Sequence, residues 1–280
     1  MASMRDIKRR KNSVQSTQQI TKAMKLVSTV KLQKARQGAE STHPYTEKML
    51  STMCSVLSKC KNIRHPYLQG GESTRKAVIV ITSNRGLAGG YNSNVVRLIT
   101  GGDFDPENTA IYAIGNKGAD ALARKGYDVV DNQSEVLEAP SYEDAKAMCR
   151  KVLTAFANGE VGEIYLAYTH FKNTVTHVPT LSRLLPVETI CEETEGAPMN
   201  FEPGTEETIS HIIPTYITSI IYGGLLEAIA SENGARMQAM DSATSNADEI
   251  ISDLTLKYNR ARQGAITQEL TEIIAGANAI

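Results

Sequence analysis

From about Glu206 to Ala279 the chain carries helical periodicity with almost no stop signal. A helix of some seventy residues measures on the order of 100 Å at 1.5 Å per residue, several times the width of the domain that it belongs to. Such an element is expected to project outward and to work on a partner. Steps of three and four along it pick out Met237, Met240, Thr244, Ala247, Ile251, Leu254, Tyr258, Ala261, Ala265 and Gln268. That is an a/d seam whose members turn small or polar toward the end, the pattern of a coiled coil. Arg236, Asp241, Asp248, Glu249, Asp253, Lys257, Arg260 and Arg262 fall off the seam, where a solvated or partner-facing surface would place them.

The other end of the chain supplies a mate. Residues 4–41 contain no proline and only Gly38, and Ile20, Ala23, Met24, Val27 and Val30 recur at helical spacing. This segment is basic, through Arg5, Lys8, Arg9, Arg10, Lys11, Lys22, Lys25, Lys31, Lys34 and Arg36, whereas the C-terminal helix leans acidic. Opposite charge favours pairing the two ends and sets their orientation more than their stability. Pro44 should bend or break the first helix, because the residue before a proline is pushed out of helical geometry.

At Lys76 the pattern changes. Ala77, Val78, Ile79, Val80, Ile81 and Thr82 form an apolar, largely β-branched run, which marks a strand buried on both faces of a parallel sheet. A glycine loop at 85–90 follows, then a helix over 94–100, and the alternation continues with strands at 109–115, 127–131 and 163–171 and helices at 116–125 and 142–157. Val175 to Val187 adds a last extended stretch with Pro179 and Pro186 marking its edges. Alternating strands and helices predict a three-layer α/β domain with a mostly parallel sheet. The expected organisation is therefore an antiparallel two-helix coiled coil made by residues 1–60, bent near 44, and residues 206–280, with the α/β domain at 76–188 between them.

Neither catalysis nor metal binding is indicated. The glycines at 86, 89 and 90 miss the G-x-G-x-x-G spacing that cradles a pyrophosphate, and the turn Gly115-Asn116-Lys117-Gly118 is not a P-loop. Ser83 and Ser93 lack a nucleophile elbow. His43, His65, His170, His177 and His211 are scattered, and Cys54, Cys60, Cys149 and Cys191 suggest neither a zinc site nor a disulfide framework, so a reducing compartment fits. No cofactor is expected. The basic start could neutralise phosphates, but it has no aromatic interleaving and no reading motif, and the net charge is only -1, so no nucleic-acid partner is expected. The most apolar stretch, 217–230, is interrupted by Ser219, Gly223, Gly224 and Glu227, so contact with a membrane is expected only through partners.

Three separated motifs carry a resemblance. The ending Ile266-Thr267-x-Glu269-x2-Glu272-x3-Gly276-Ala277-x-Ala279, the opening Ile20-Thr21-Lys22-Ala23-Met24-Lys25-Leu26-Val27-Ser28 and the stretch Ile81-Thr82-Ser83-Asn84-Arg85-Gly86-Leu87-Ala88-Gly89-Gly90-Tyr91-Asn92 together resemble the gamma subunits of rotary F-type ATP synthases over essentially the whole chain. The resemblance implies a non-catalytic rotor shaft, present once per complex, that couples proton flow through a membrane c ring to ATP synthesis or hydrolysis on a ring of alpha and beta subunits, with the epsilon subunit at its base. It implies a peripheral location on the cytoplasmic face of a bacterial plasma membrane or, less favoured, on an organellar membrane. Carried over by motif, it gives partner contacts at Met24, Lys25, Arg236 and Gln238, a polar catch at Arg262 and Gln263, and coupling-sensitive positions at Thr267 and Glu269. A foot for the c ring would fall at Met199, Asn200, Phe201, Glu202 and Pro203, where the match is weaker. Two other classes fit the bare residues, a coiled-coil adaptor and a nucleotide-dependent enzyme with helical dimerisation arms. Nucleotide binding at the loop 86–90 would separate the enzyme from the rest.

Overall fold

A computed structural model describes residues 4–59, 65–71, 73–187 and 204–277. Its two longest elements are the predicted ones, α1 over Met4–Lys59 and α6 over Thr205–Ala277, with 56 and 73 residues. Each holds a proline without ending there, so of the bend or break expected at Pro44 the helix does not break. Pro44 and Glu40 are both exposed, so the carbonyl that loses its intrahelical donor can bond water instead. At Pro214 the freed carbonyl belongs to Ser210, also exposed.

The chain forms two compact units, Thr29–Arg236 and a second made by Met1–Ser28 with Met237–Ile280. The larger unit is built on five strands: β1 (Lys76–Ile81), β2 (Thr109–Ile114), β3 (Asp128–Asn132), β4 (Glu163–Phe171) and β5 (His177–Leu185). They lie in the order β3-β2-β1-β4-β5, parallel except for the β4–β5 pair. β5 is one continuous strand, so Pro179 sits inside it, opposite Thr169, and not at its boundary. An edge strand tolerates this because the missing N–H can face away from the ladder.

The helices cover both faces. Val78 and Val80 of β1 point into a core with α3 (Tyr91–Thr100) and α4 (Asn116–Ala123), where Val95, Ile99 and Leu122 are fully buried. Ala77, Ile79 and Ile81 point the other way, against α5 (Tyr142–Ala157), the Met53, Val56 and Leu57 turn of α1, and Ile209, Ile213, Ile217, Ile221 and Leu225 of α6. The alternation of β1 between these cores is the period of two that a pleated strand imposes. A short helix α2 (Pro66–Gln69) adds Tyr67 and Leu68 to the second core. Part of α6 is long and apolar enough to cross a membrane by length and composition, and half of that stretch is buried inside the protein. Its four-residue apolar step is accounted for by the sheet that it covers.

The smaller unit is an antiparallel pair of helices, as rising positions on α1 meet falling positions on α6. Gln18 donates to Asp248, Thr21 and Thr244 share a hydroxyl hydrogen bond of 2.8 Å, and Lys25 pairs with Asp241 at 2.5 Å. On α6 the predicted seam is buried at Met240, Ala247 and Leu254 and half-buried at Ile251, Tyr258 and Ala261. It ends there, because Ala265 and Gln268 are exposed. If the same register continues, the first turn of α1 lies opposite Tyr258 and Ala261.

On α1 the inward positions differ from the apolar set expected. Thr21 and Ser28 are buried, Ile7, Val14, Gln18 and Lys25 are half-buried, and Ile20 and Val27 are 60% and 58% exposed. Hydroxyls and an amide therefore share the seam with Ile7 and Val14 while Ile20 and Val27 look outward. Arg9–Asp6 and Lys257–Asp253 are spent within one helix, so opposite charge between the ends contributes less to pairing than the composition suggested. Cys54 is disulfide-bonded, contrary to the expectation of reduced thiols, whereas Cys149 is free and buried.

Candidate functional site

The carboxyl end of the parallel strands is where an α/β sheet would place a ligand, and here that region is filled from within. Helix α4 begins with three amides that could meet a phosphate. The Asn116 N–H donates to Asn84 Oδ1 at 3.2 Å, the Lys117 N–H to the Ser83 carbonyl at 3.0 Å and the Gly118 N–H to Thr82 Oγ1 at 2.9 Å. The Ser83 N–H is taken in turn by Asn92 Oδ1 at 2.9 Å. Gly115 and Gly118 serve close packing: a Cβ would lie 2.2 Å from the Thr82 carbonyl oxygen at the first and 2.5 Å from Thr82 Oγ1 at the second. The Gly115–Gly118 turn thus shapes a tight joint between β1, β2 and α4.

Cys149, His170 and His177 each sit in a defined setting. Burial pushes the Cys149 thiol up to about 11, which keeps it protonated and a poor nucleophile. His170 and His177 do lie on paired strands, but His170 Nδ1 meets Glu227 at 2.6 Å while His177 packs beside Phe171. Burial lowers the His177 pKa, and its Nε2 is enclosed without a hydrogen-bond partner. Among the described residues no cluster of three or more His, Cys, Asp or Glu side chains could hold a metal ion.

The residues singled out by motif separate into two settings. Arg262, Gln263, Thr267 and Glu269 are exposed on α6. Around them Ile266, Leu270, Ile273 and Ile274 form an exposed apolar stripe at helical spacing. Met24, Lys25 and Gln238 are half-buried, and Lys25 is committed to Asp241.

Arg236 is placed differently from the solvated position that its spacing suggested. Its side chain is 12% exposed and its Nη1 pairs with Glu232, 14% exposed, at 2.7 Å. Its Nη2 donates to the carbonyls of Arg85 and Gly86 at 3.3 and 3.4 Å. The foot proposed at Met199, Asn200, Phe201, Glu202 and Pro203 lies outside the described residues. Sequence reasoning missed the outward set on α1: Ile20, Leu26 and Val27 are exposed, and Ile20 and Val27, seven residues apart, lie on one helix face. Their spacing was visible, but spacing alone does not say which face is buried.

Residues 3–280 match the family model described as ATP synthase. The chain is 61% identical to the ATP synthase gamma chain of Lachnoclostridium phytofermentans over 290 aligned residues, which take in all of both chains. In structure it is similar to a chain of the central stalk and c-ring structure of the Tetrahymena thermophila mitochondrial ATP synthase, with a TM-score of 0.60 and 26% identity over 80% of this chain and 99% of that one. It shares its fold with a chain of the Euglena gracilis mitochondrial ATP synthase, with a TM-score of 0.71 and 19% identity over 99% of this chain and 94% of that one.

Proposed function

Because the chain belongs to the ATP synthase gamma-chain family, we propose that it turns inside the assembled enzyme as the central shaft and does no bond-making chemistry itself. It is a component of a rotary ATP synthase, and its role is to couple rotation to ATP synthesis or hydrolysis. The observation that carries the finer reading is the exposed end of α6. There Arg262, Gln263, Thr267 and Glu269 share the helix with the uncovered Ile266, Leu270, Ile273 and Ile274. A stripe of this kind on a monomeric surface marks a protein contact. A ring of alpha and beta subunits closing around it would supply apolar bearing surface, with the polar side chains catching one catalytic subunit at a time.

Coupling then consists of differential contact: each orientation of the shaft favours one conformation of the subunit that it faces. Met24 and Gln238, together with the outward Ile20 and Val27, would meet the lower part of that ring. The c ring and the epsilon subunit would bind at the other end, with the foot at 199–203. This arrangement places the protein on a membrane through its partners, at the cytoplasmic face in a bacterium.

Mixing the chain with alpha and beta subunits tests the reading. The expected product contains one copy per three alpha-beta pairs and hydrolyses ATP, while the chain alone hydrolyses none. Several copies per ring, or hydrolysis by the isolated chain, would refute it.

A further inference from the structure

Doubly wound sheets bind ligands outside the carboxyl ends of their strands, at the point where strand order reverses. In the order β3-β2-β1-β4-β5 that point lies between β1 and β4. Three contacts carry α6 across it. Ser231 Oγ donates to the Thr169 carbonyl near the end of β4 at 3.1 Å. Gly234 lies so close to His177 that a Cβ there would stand 2.5 Å from its Nε2. Arg236 then reaches the loop that leaves β1, bonding the Arg85 and Gly86 carbonyls while holding Glu232.

We propose that Glu232 and Arg236 occupy the ligand place of this sheet as an internal clasp, which grips the 83–90 loop and fixes the rotational setting of α6 on the α/β domain. Arginine suits the task because its planar fork offers one nitrogen to the carboxylate and another to the two carbonyls at once, which a lysine ammonium cannot reproduce. Both side chains of the pair are largely withdrawn from water, so their attraction is screened less than that of a surface pair. Beneath them Tyr91, the first residue of α3, is buried and its hydroxyl is held well above its ordinary pKa, first by burial and then by Glu232. The loop is a fitting thing to grip. Ser83 Oγ donates to the Arg85 carbonyl at 2.6 Å, and Leu87 holds the left-handed conformation at φ 63°, so its backbone is set and not free to follow the helix. Since α6 is one helix from Thr205 to Ala277, the clasp acts on the same element that carries Arg262 and Glu269.

Hydrogen exchange on the isolated chain tests the grip without any partner. The amides of Ser83, Tyr91, Asn116 and Lys117 depend on the loop conformation, and Arg236→Ala and Arg236→Lys should each raise their exchange about tenfold, the effect of losing one or two charge-assisted bonds. Should Arg236→Ala not fold, Glu232→Gln leaves the guanidinium in place and reads the same amides. Exchange equal to the unmodified chain in all three variants would overturn the proposal.

Coupling in the complete ATP synthase in sealed vesicles is the second measurement, and it alone rests on the rotary reading. Arg236→Lys and Glu232→Gln should each lose at least half of the ATP-driven proton pumping obtained per ATP hydrolysed. If Arg236→Lys uncouples and Glu232→Gln does not, the arginine acts on another subunit and the clasp is wrong. If the unmodified chain never assembles, the rotary reading fails while the exchange result still decides the clasp.

Discussion

Val95 and Val27 are the same side chain in opposite circumstances: the first is fully buried under the sheet, and the second is 58% exposed on α1. In the larger unit apolar residues go inside and the core is dense, with Ile79, Ile111, Ile164 and Ile221 all inaccessible to water. In the helix pair the seam holds Thr21, Ser28 and Gln18 while Ile20 and Val27 remain in solvent. The difference teaches that the two regions were shaped by different requirements. One secures a stable fold. In the other, α1 brings Thr21, Ser28 and Gln18 to the seam beside Ile7 and Val14 and leaves Ile20 and Val27 uncovered.

Substitutions can break or sharpen that contrast. Ile221→Ala, in the sheet core, should cost about 2–5 kcal/mol in denaturant unfolding, as the three lost carbons and the cavity behind them both count. Thr21 and Thr244 offer the corresponding measure for the helix pair. A double-mutant cycle through Thr21→Ala and Thr244→Ala should give a coupling of about 1 kcal/mol, one net hydrogen bond, and a value comparable to the core loss would erase the contrast.

Acid should act on the larger unit. The folded His177 pKa is depressed by burial, so the unfolded chain binds the proton more tightly. Stability is therefore complete above the ordinary value of 6.5 and falls as pH drops through it toward the lower folded value. His177→Gln should flatten that slope in melts between pH 7 and pH 5. Below these in size comes Lys25→Ala, which should cost about 0.5 kcal/mol at low salt and less at high salt, since the Lys25 and Asp241 side chains are 39% and 58% exposed. Val27→Asp should change unfolding of the isolated chain least of all. Its effect belongs to assembly with alpha and beta subunits, where capture by the ring should weaken.

Much of this was legible from residues alone, for identifiable reasons. The β1 run and the strand–helix alternation after it require a buried parallel sheet, and the structure has it. The α6 seam was readable as far as Ala261 because its inward positions are themselves apolar or small. On α1 the same reasoning chose the wrong face: Thr21 and Ser28 do not announce burial, and hydrophobic spacing cannot tell an inner stripe from one kept for a partner. Arg236 was misread for a related cause. A charge off a heptad seam is ordinarily solvated, and only the approach of the 83–90 loop, more than a hundred residues away in sequence, withdraws it from water. At Pro44, where a bend or a break was expected, the helix does not break, because there is helix on both sides and solvent at Glu40.

The internal capping of α4 by Thr82, Ser83 and Asn84 has a consequence for a component of a machine that handles ATP. With the Asn116, Lys117 and Gly118 amides already satisfied from within, a phosphate arriving at the first turn of α4 would have to displace Asn84, the Ser83 carbonyl or Thr82 to gain a donor there.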